Sequence, residues 1–346
     1  MEGPSQMPVR GVKQSHESTL CTCSDRMSIR MWSVNETGEI ALLPENYSDK
    51  VFAILLGIAD GATHARDDID PGATELLPLY MADGLLEALE WANDGVGSDE
   101  AACMWLASLR GYAQLTGSFP TGAPEPLKRW IDAEFAKVEL HEGVLPGDPQ
   151  NIAGLNSADM GQRVRPTGPN TDSTGVLPRA AVAALLARVP VDTTVAVARS
   201  AAFLTHDTQA ANTAIAAAKI IRSAMERSEG SADEWEGMLE GLEGPSAEAL
   251  RQVVSIVRDS LDLSPTDAYA AYFADKGPAE TEEESDVEAE EAPAEDESSS
   301  RDPETDAYAV ALLAAVYGSD AVGDRPASAL DDIISELHDR WMALIV

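Results

Sequence analysis

Cysteine is scarce in this chain: Cys21, Cys23 and Cys103 are the only three in 346 residues. Cys21 and Cys23 lie in a polar stretch with no second pair nearby, so the spacing is not that of a zinc site. An odd count without disulfide spacing predicts a reducing compartment, and the expected location is cytoplasmic. Aromatic residues are also few, at 5%, while alanine is abundant, which favours helices packed closely through small side chains. Positive charge is short: 24 Lys and Arg stand against 60 Asp and Glu, for a net charge of -36. Nucleic acid and anionic membranes are excluded as expected partners, because both require clustered basic residues. The longest apolar run, Ala307 to Tyr317, falls short of the roughly 20 residues a bilayer span needs. Met1 to Lys13 contain no apolar core, so no secretory signal is expected there. There is no Gly-x-Ser-x-Gly elbow, no phosphate-binding P-loop and no convincing strand alternation.

What remains is helix. Residues 1–48 are polar and aperiodic and read as a tail, with a short ordered piece around Met31 to Val34. Residues 49–346 read as one helical domain, interrupted at 279–300 by an acidic run too charged to bury, which should be disordered. The pattern predicts helices near 49–59, 76–91, 98–109, 126–136, 179–188, 192–204, 208–228, 232–242, 246–261, 265–274, 306–317 and 327–344. Gly57, Asp60 and Gly61 are expected to end the first of these, and Cys103 to be core. Residues 143–175 read as a long irregular stretch, the kind of loop that is functional or disordered. The segment Thr-Asp-Ala-Tyr-Ala occurs at 266–270 and again at 305–309, each copy at a helix start. The fold class is all-α.

Four constellations could carry chemistry. Asp302-Pro303-Glu304-Thr305 sets two acids and a hydroxyl at the mouth of a helix. Asp302 as N-cap, Pro303 at the first helical position and Glu304 in the first turn account for the segment by helix chemistry alone. The same oxygens of Asp302, Glu304 and Thr305 are hard ligands that suit Mg²⁺. Thr205-His206-Asp207 is either a plain helix–helix corner or a polar contact to a ligand. Asp172 to Arg179, with Ser173, Thr174 and Gly175, can offer backbone N–H groups to a phosphate and an arginine to pair with it, or can be a flexible turn. Asp67, Asp68 and Asp70 can bind a cation or be a solvated loop.

The order of these pieces resembles the ADP-ribosylglycohydrolase family. Leu55 to Ala62 look like the family's opening helix and Gly-Asp-Ala-x-Gly turn. Met81 to Leu89 and Trp105-Leu106 look like its next two helices. Arg165-Pro166 followed by Ser173 to Ala181 is similar to its Gly-x-x-Met-Arg-x-Ala-Pro loop, and Ala201 to Asp207 to its Ala-x-x-Thr-His segment. Asp302 to Thr305, running on to Tyr317-Gly318, is similar to its Asp-x-Asp-Thr helix ending in Tyr-Gly. The resemblance implies an all-helical fold with Mg²⁺ between N- and C-terminal acidic motifs. It implies removal of ADP-ribose from a modified protein or small molecule. It also implies Asp302, Glu304 and Thr305 as metal ligands, and Ser173, Thr174, Gly175, Arg179 and His206 against the substrate. The chain departs from the pattern in three places. Pro71 to Glu75 stand where the family has Thr-Asp-Asp-Thr-Gln, so two metal-binding carboxylates are missing; Asp67, Asp68 or Asp70 would have to stand in, with Asp67 and Asp68 the catalytic candidates. Glu304 is one methylene longer than the usual Asp, and Pro178 replaces a Met.

Overall fold

The computed structural model describes residues 42–64, 70–140, 147–226, 232–275, 302–323, 325 and 327–345. The expectations for the N-terminal tail, for Asp67 and Asp68 and for the acidic run fall outside these residues. The described chain is all-α, with thirteen α-helices and no strand beyond an isolated Gln162–Arg165 bridge. They are α1 (Tyr47–His64), α2 (Ala73–Asn93), α3 (Glu100–Thr116), α4 (Trp130–Phe135), α5 (Pro149–Leu155), α6 (Leu177–Ala184) and α7 (Val191–Phe203). After them come α8 (Thr208–Met225), α9 (Asp233–Leu239), α10 (Pro245–Asp259), α11 (Pro265–Asp275), α12 (Pro303–Tyr317) and α13 (Asp331–Ile345). No described helix is long and apolar enough to cross a membrane.

Helix α12 is the axis of the molecule. It is apolar on every side and buried from Glu304 to Ala315, and a helix of that kind belongs in a core. Around it pack α1, α6, α8, α10 and α11. The closest of these packings is with α1. Gly57 and Gly61 are four apart and so share a face. A Cβ on Gly61 would overlap the carbonyl oxygen of Asp306, and one on Gly57 would lie 3.0 Å from the Val310 carbonyl. The two backbones meet only because neither residue has a side chain. These glycines therefore do not end the first helix, as the sequence pattern suggested. They continue it to His64, because contact with α12 outweighs their cost of about 1 kcal/mol each in helix propensity.

Helices α2, α3 and α4 are joined by buried charge. Asp83 is fully buried and accepts from Arg110 Nη2 at 2.7 Å, Arg129 Nε at 2.9 Å and Trp130 Nε1 at 2.9 Å. Such a carboxylate survives burial only because its oxygens are saturated. Cys103 proves half-buried rather than core, with burial and then the charge of Glu87 pushing its thiol up to about 12. A second correction concerns residues 143–175. Within them α5 forms, with Asp148 as N-cap, accepting from the Gln150 amide at 2.8 Å, and with Pro149 in the first turn. Pro178 also sits in a first helical turn, that of α6, where no intrahelical amide is lost.

Candidate functional site

The N-terminus of α12 is buried, which is unusual for a helix start rich in acids. Asp302 caps it, accepting from the Thr305 amide at 3.1 Å and from the Thr305 hydroxyl. The helix chemistry expected of this segment is therefore present. It leaves Glu304 and Thr305 only 1% and 3% exposed. Glu304 Oε1 accepts from Thr74 Oγ1 at 3.0 Å and from the Asp148 amide. Glu304 Oε2 is buried and has no hydrogen-bond partner among the described residues. Burial, reinforced by the charge of Asp302, pushes the Glu304 carboxyl up to about 8. A buried carboxylate oxygen without a partner calls for either a proton or a cation.

The fit to a divalent cation is partial. Asp302, Glu304 and Thr305 bring hard oxygen donors together at one helix end, and the orphaned Oε2 is the oxygen left to coordinate. The 71–75 segment adds little to them. Thr74 spends its hydroxyl on Glu304, and Glu75 accepts from the Gly72 amide at 3.0 Å, closing the first turn of its own helix. Among the described residues no group of three or more His, Cys, Asp or Glu is arranged to hold a metal ion. Two acids and one hydroxyl at a helix end fall short of a complete cation shell, and any further acids would have to come from outside the described residues.

The other half of the site centres on Asp148. Its Oδ2 accepts from Ser173 Oγ at 2.5 Å and from the Gly175 amide at 2.9 Å, and lies 3.3 Å from His206 Nε2. Ser173 Oγ is also 2.7 Å from His206 Nε2. Behind the ring, Thr205 Oγ1 is 2.6 Å from His206 Nδ1, while Arg179 Nη2 donates to Thr205 Oγ1 at 2.6 Å. Arg179 has only protons to give, so the Thr205 hydroxyl hydrogen turns to Nδ1. Nδ1 is then the acceptor, and Nε2 carries the proton that faces Ser173 and Asp148. Burial, with Arg179 nearby, holds His206 below its ordinary value and so neutral. Burial alone would raise Asp148; hydrogen bonds from His206, Ser173 and the Gln150 amide overcome it and hold the carboxyl well below the usual range.

Arg179 is 3% exposed, and its guanidinium is directed inward. Nε donates to the Gly175 carbonyl at 3.3 Å, Nη1 to the Ala201 carbonyl at 3.0 Å, and Nη2 to Asn151 Oδ1 at 2.8 Å as well as to Thr205. Burial lowers it to about 10, which leaves it charged at neutral pH. Ser173 and Thr174 are half-buried, and Gly175 is buried.

The fold thus brings Ser173, Gly175, Arg179 and His206 into one hydrogen-bonded group, and Asp302, Glu304 and Thr305 into another. Asp148 joins the two, its amide donating to Glu304 and its Oδ2 meeting Ser173 and Gly175, while Thr74 bonds Glu304 alone. Asp148, Asn151 and the role of Thr74 escaped the sequence reading. Asp148-Pro149 did carry a signal, since it repeats the Asp-Pro helix start of Asp302-Pro303. A surface groove of about 400 Å³ between α9 and α10, lined by Leu239, Arg251, Val254 and Arg258, shares no residue with this site.

Residues 46–340 match the profile of the family described as ADP-ribosylglycohydrolase. A search of curated proteins found no match. With nearly all of its helical region covered, the chain belongs to the ADP-ribosylglycohydrolase family.

Proposed function

We propose that the chain is a hydrolase that cleaves the N- or O-glycosidic bond of ADP-ribose in a modified protein or small molecule, with Mg²⁺ as cofactor. The observation that carries this reading is the buried Glu304 carboxyl, whose Oε2 lacks a partner beside Asp302 and Thr305. These three residues would hold the ion. When bound, it supplies Lewis-acid polarisation of a ribose hydroxyl or water in a cleavage that passes through an oxocarbenium-like state. Asp67 or Asp68 would take the proton of the attacking water, as the family resemblance implies. Ser173, Thr174, Gly175 and His206 face the diphosphate, and Arg179 holds that loop from behind through the Gly175 carbonyl. The scarcity of cysteine and of basic residues supports a cytoplasmic setting without nucleic acid.

One observation favours a second reading, in which a catalytically silent relative binds ADP-ribose or a protein partner. Thr74 and Glu75, at the place of the family's N-terminal metal motif, are both committed to hydrogen bonds within the chain. Calorimetric titration of ADP-ribose, first with Mg²⁺ and then with EDTA, separates the two. Binding that requires Mg²⁺ and is lost in Asp302→Ala is expected for the hydrolase, together with release of ADP-ribose from modified substrates. Binding indifferent to EDTA and to Asp302→Ala would move the assignment to the silent relative.

A further inference from the structure

We propose that Ser173 Oγ, the Gly175 amide and His206 Nε2 form a binding site for a phosphate oxygen, and that Asp148 fills it as the chain's own anion. A phosphate group then enters only as the Asp148 carboxylate leaves. The inference rests on the reading above that this loop faces the diphosphate, and it adds how that site is regulated.

Three donors of different origin converge on one oxygen. The Ser173 hydroxyl at 2.5 Å, the Gly175 amide at 2.9 Å and the His206 imidazole at 3.3 Å all meet Asp148 Oδ2. A hydroxyl, a backbone amide at a helix entry and an imidazole N–H make a set that suits a phosphate oxygen as well as a carboxylate. Two of the three donors are held from behind by groups other than Asp148, and Ser173 Oγ lies 2.7 Å from one of them, His206 Nε2. The His206 tautomer is set by Thr205 and Arg179, and the ring is fully buried. The Gly175 carbonyl is held by Arg179 and by Asn151 Nδ2 at 3.4 Å. A Cβ on Gly175 would strike Asp148 Oδ2, so glycine is what lets the anion reach the amide. The His206 and Gly175 parts of the cradle thus have supports beyond the Asp148 carboxylate oxygen that occupies it. The Asp148 side chain is 8% exposed, against 0% for His206, so the occupant lies at the outer edge of the site. Its other oxygen, Oδ1, does the separate work of capping α5. Because the Asp148 amide donates to Glu304, displacement of this residue also changes the partners of the carboxyl at the α12 terminus.

The test uses inorganic phosphate in EDTA, with neither Mg²⁺ nor ADP-ribose, so its failure and the failure of the hydrolase reading are separate results. Asp148→Ser keeps a capping oxygen for α5 and removes Oδ2. Calorimetry is expected to show phosphate binding at least about tenfold tighter in Asp148→Ser than in the unaltered chain, because an internal competitor has gone. Adding Ser173→Ala is expected to abolish the gain. A folded Asp148→Ser that binds phosphate no better than the unaltered chain overturns the proposal, as does a gain that survives Ser173→Ala. If Asp148→Ser does not fold, Asp148→Asn serves instead, since it keeps the shape and removes the charge. It is expected to bind phosphate several-fold more tightly, and equality with the unaltered chain overturns the proposal.

Discussion

Glu304 shows how one side chain can be required by its helix and still be under-used by it. Its place in the first turn of α12 is favoured by the helix dipole, yet burial and Asp302 push its carboxyl up to about 8 from an ordinary 4.5. The folded state therefore holds a proton that the unfolded chain has already released between those two values. Stability from this proton is complete below the lower value and is lost as pH rises through the upper one. Glutamine imitates the protonated acid at every pH. In EDTA, the unfolding free energies of Glu304→Gln and the unaltered chain should be similar near pH 5. They should separate in favour of the variant by pH 9, by on the order of a few kcal/mol. Chemical denaturation at several pH values reads this directly, and a difference that does not change with pH would mean that Oε2 is satisfied in solution.

Among the elements, the packing of α1 on α12 decides where the site lies. Gly61 meets the carbonyl of Asp306, two residues beyond Glu304, so any side chain there pushes on the α12 terminus itself. Gly61→Ala would improve helix propensity in isolation by about 1 kcal/mol. In the fold it should instead destabilise, by roughly 2–4 kcal/mol, because the obstacle is backbone that cannot turn aside. Gly57→Ala, whose added atom would lie 3.0 Å from the Val310 carbonyl, should cost less. Denaturant midpoints for the two variants test the order, and a stabilised Gly61→Ala would refute the close approach. The position of α5 has a similar cause. A helix of seven residues cannot stand alone in water, and it forms because Asn151 reaches Arg179 while Asp148 reaches the 173–175 loop.

At the scale of the whole molecule, charge works against compactness. A net charge of -36 on 346 residues repels itself, even though acids such as Asp83 and Asp148 have their charge used internally. Raising NaCl from about 0.02 M to about 0.5 M should therefore raise the melting temperature by several degrees, since the Debye length falls to a few ångströms. A melting temperature that drops with salt would indicate that buried ion pairs, such as those of Asp83, dominate instead.

By itself the sequence determined the helical class, most helix starts and the order of motifs along the chain. These depend on caps, prolines and apolar spacing that act within about four residues. Asp302-Pro303 and Asp207 before α8 were legible for that reason, and each caps its helix; the third helix was placed from Ser98, one residue before its cap Asp99. Tertiary structure alone decided which way the functional groups face. Arg179 could be read as a phosphate ligand until Asn151, Thr205 and two carbonyls claimed its guanidinium from up to 28 residues away. Gly57 and Gly61 looked like breaks until α12, some 250 residues later, arrived against them. Asp148 was one residue of a long irregular stretch, with no role of its own, until it met Ser173, Gly175 and His206. Burial and hydrogen-bond competition depend on which helices touch, and no rule of local spacing contains that information.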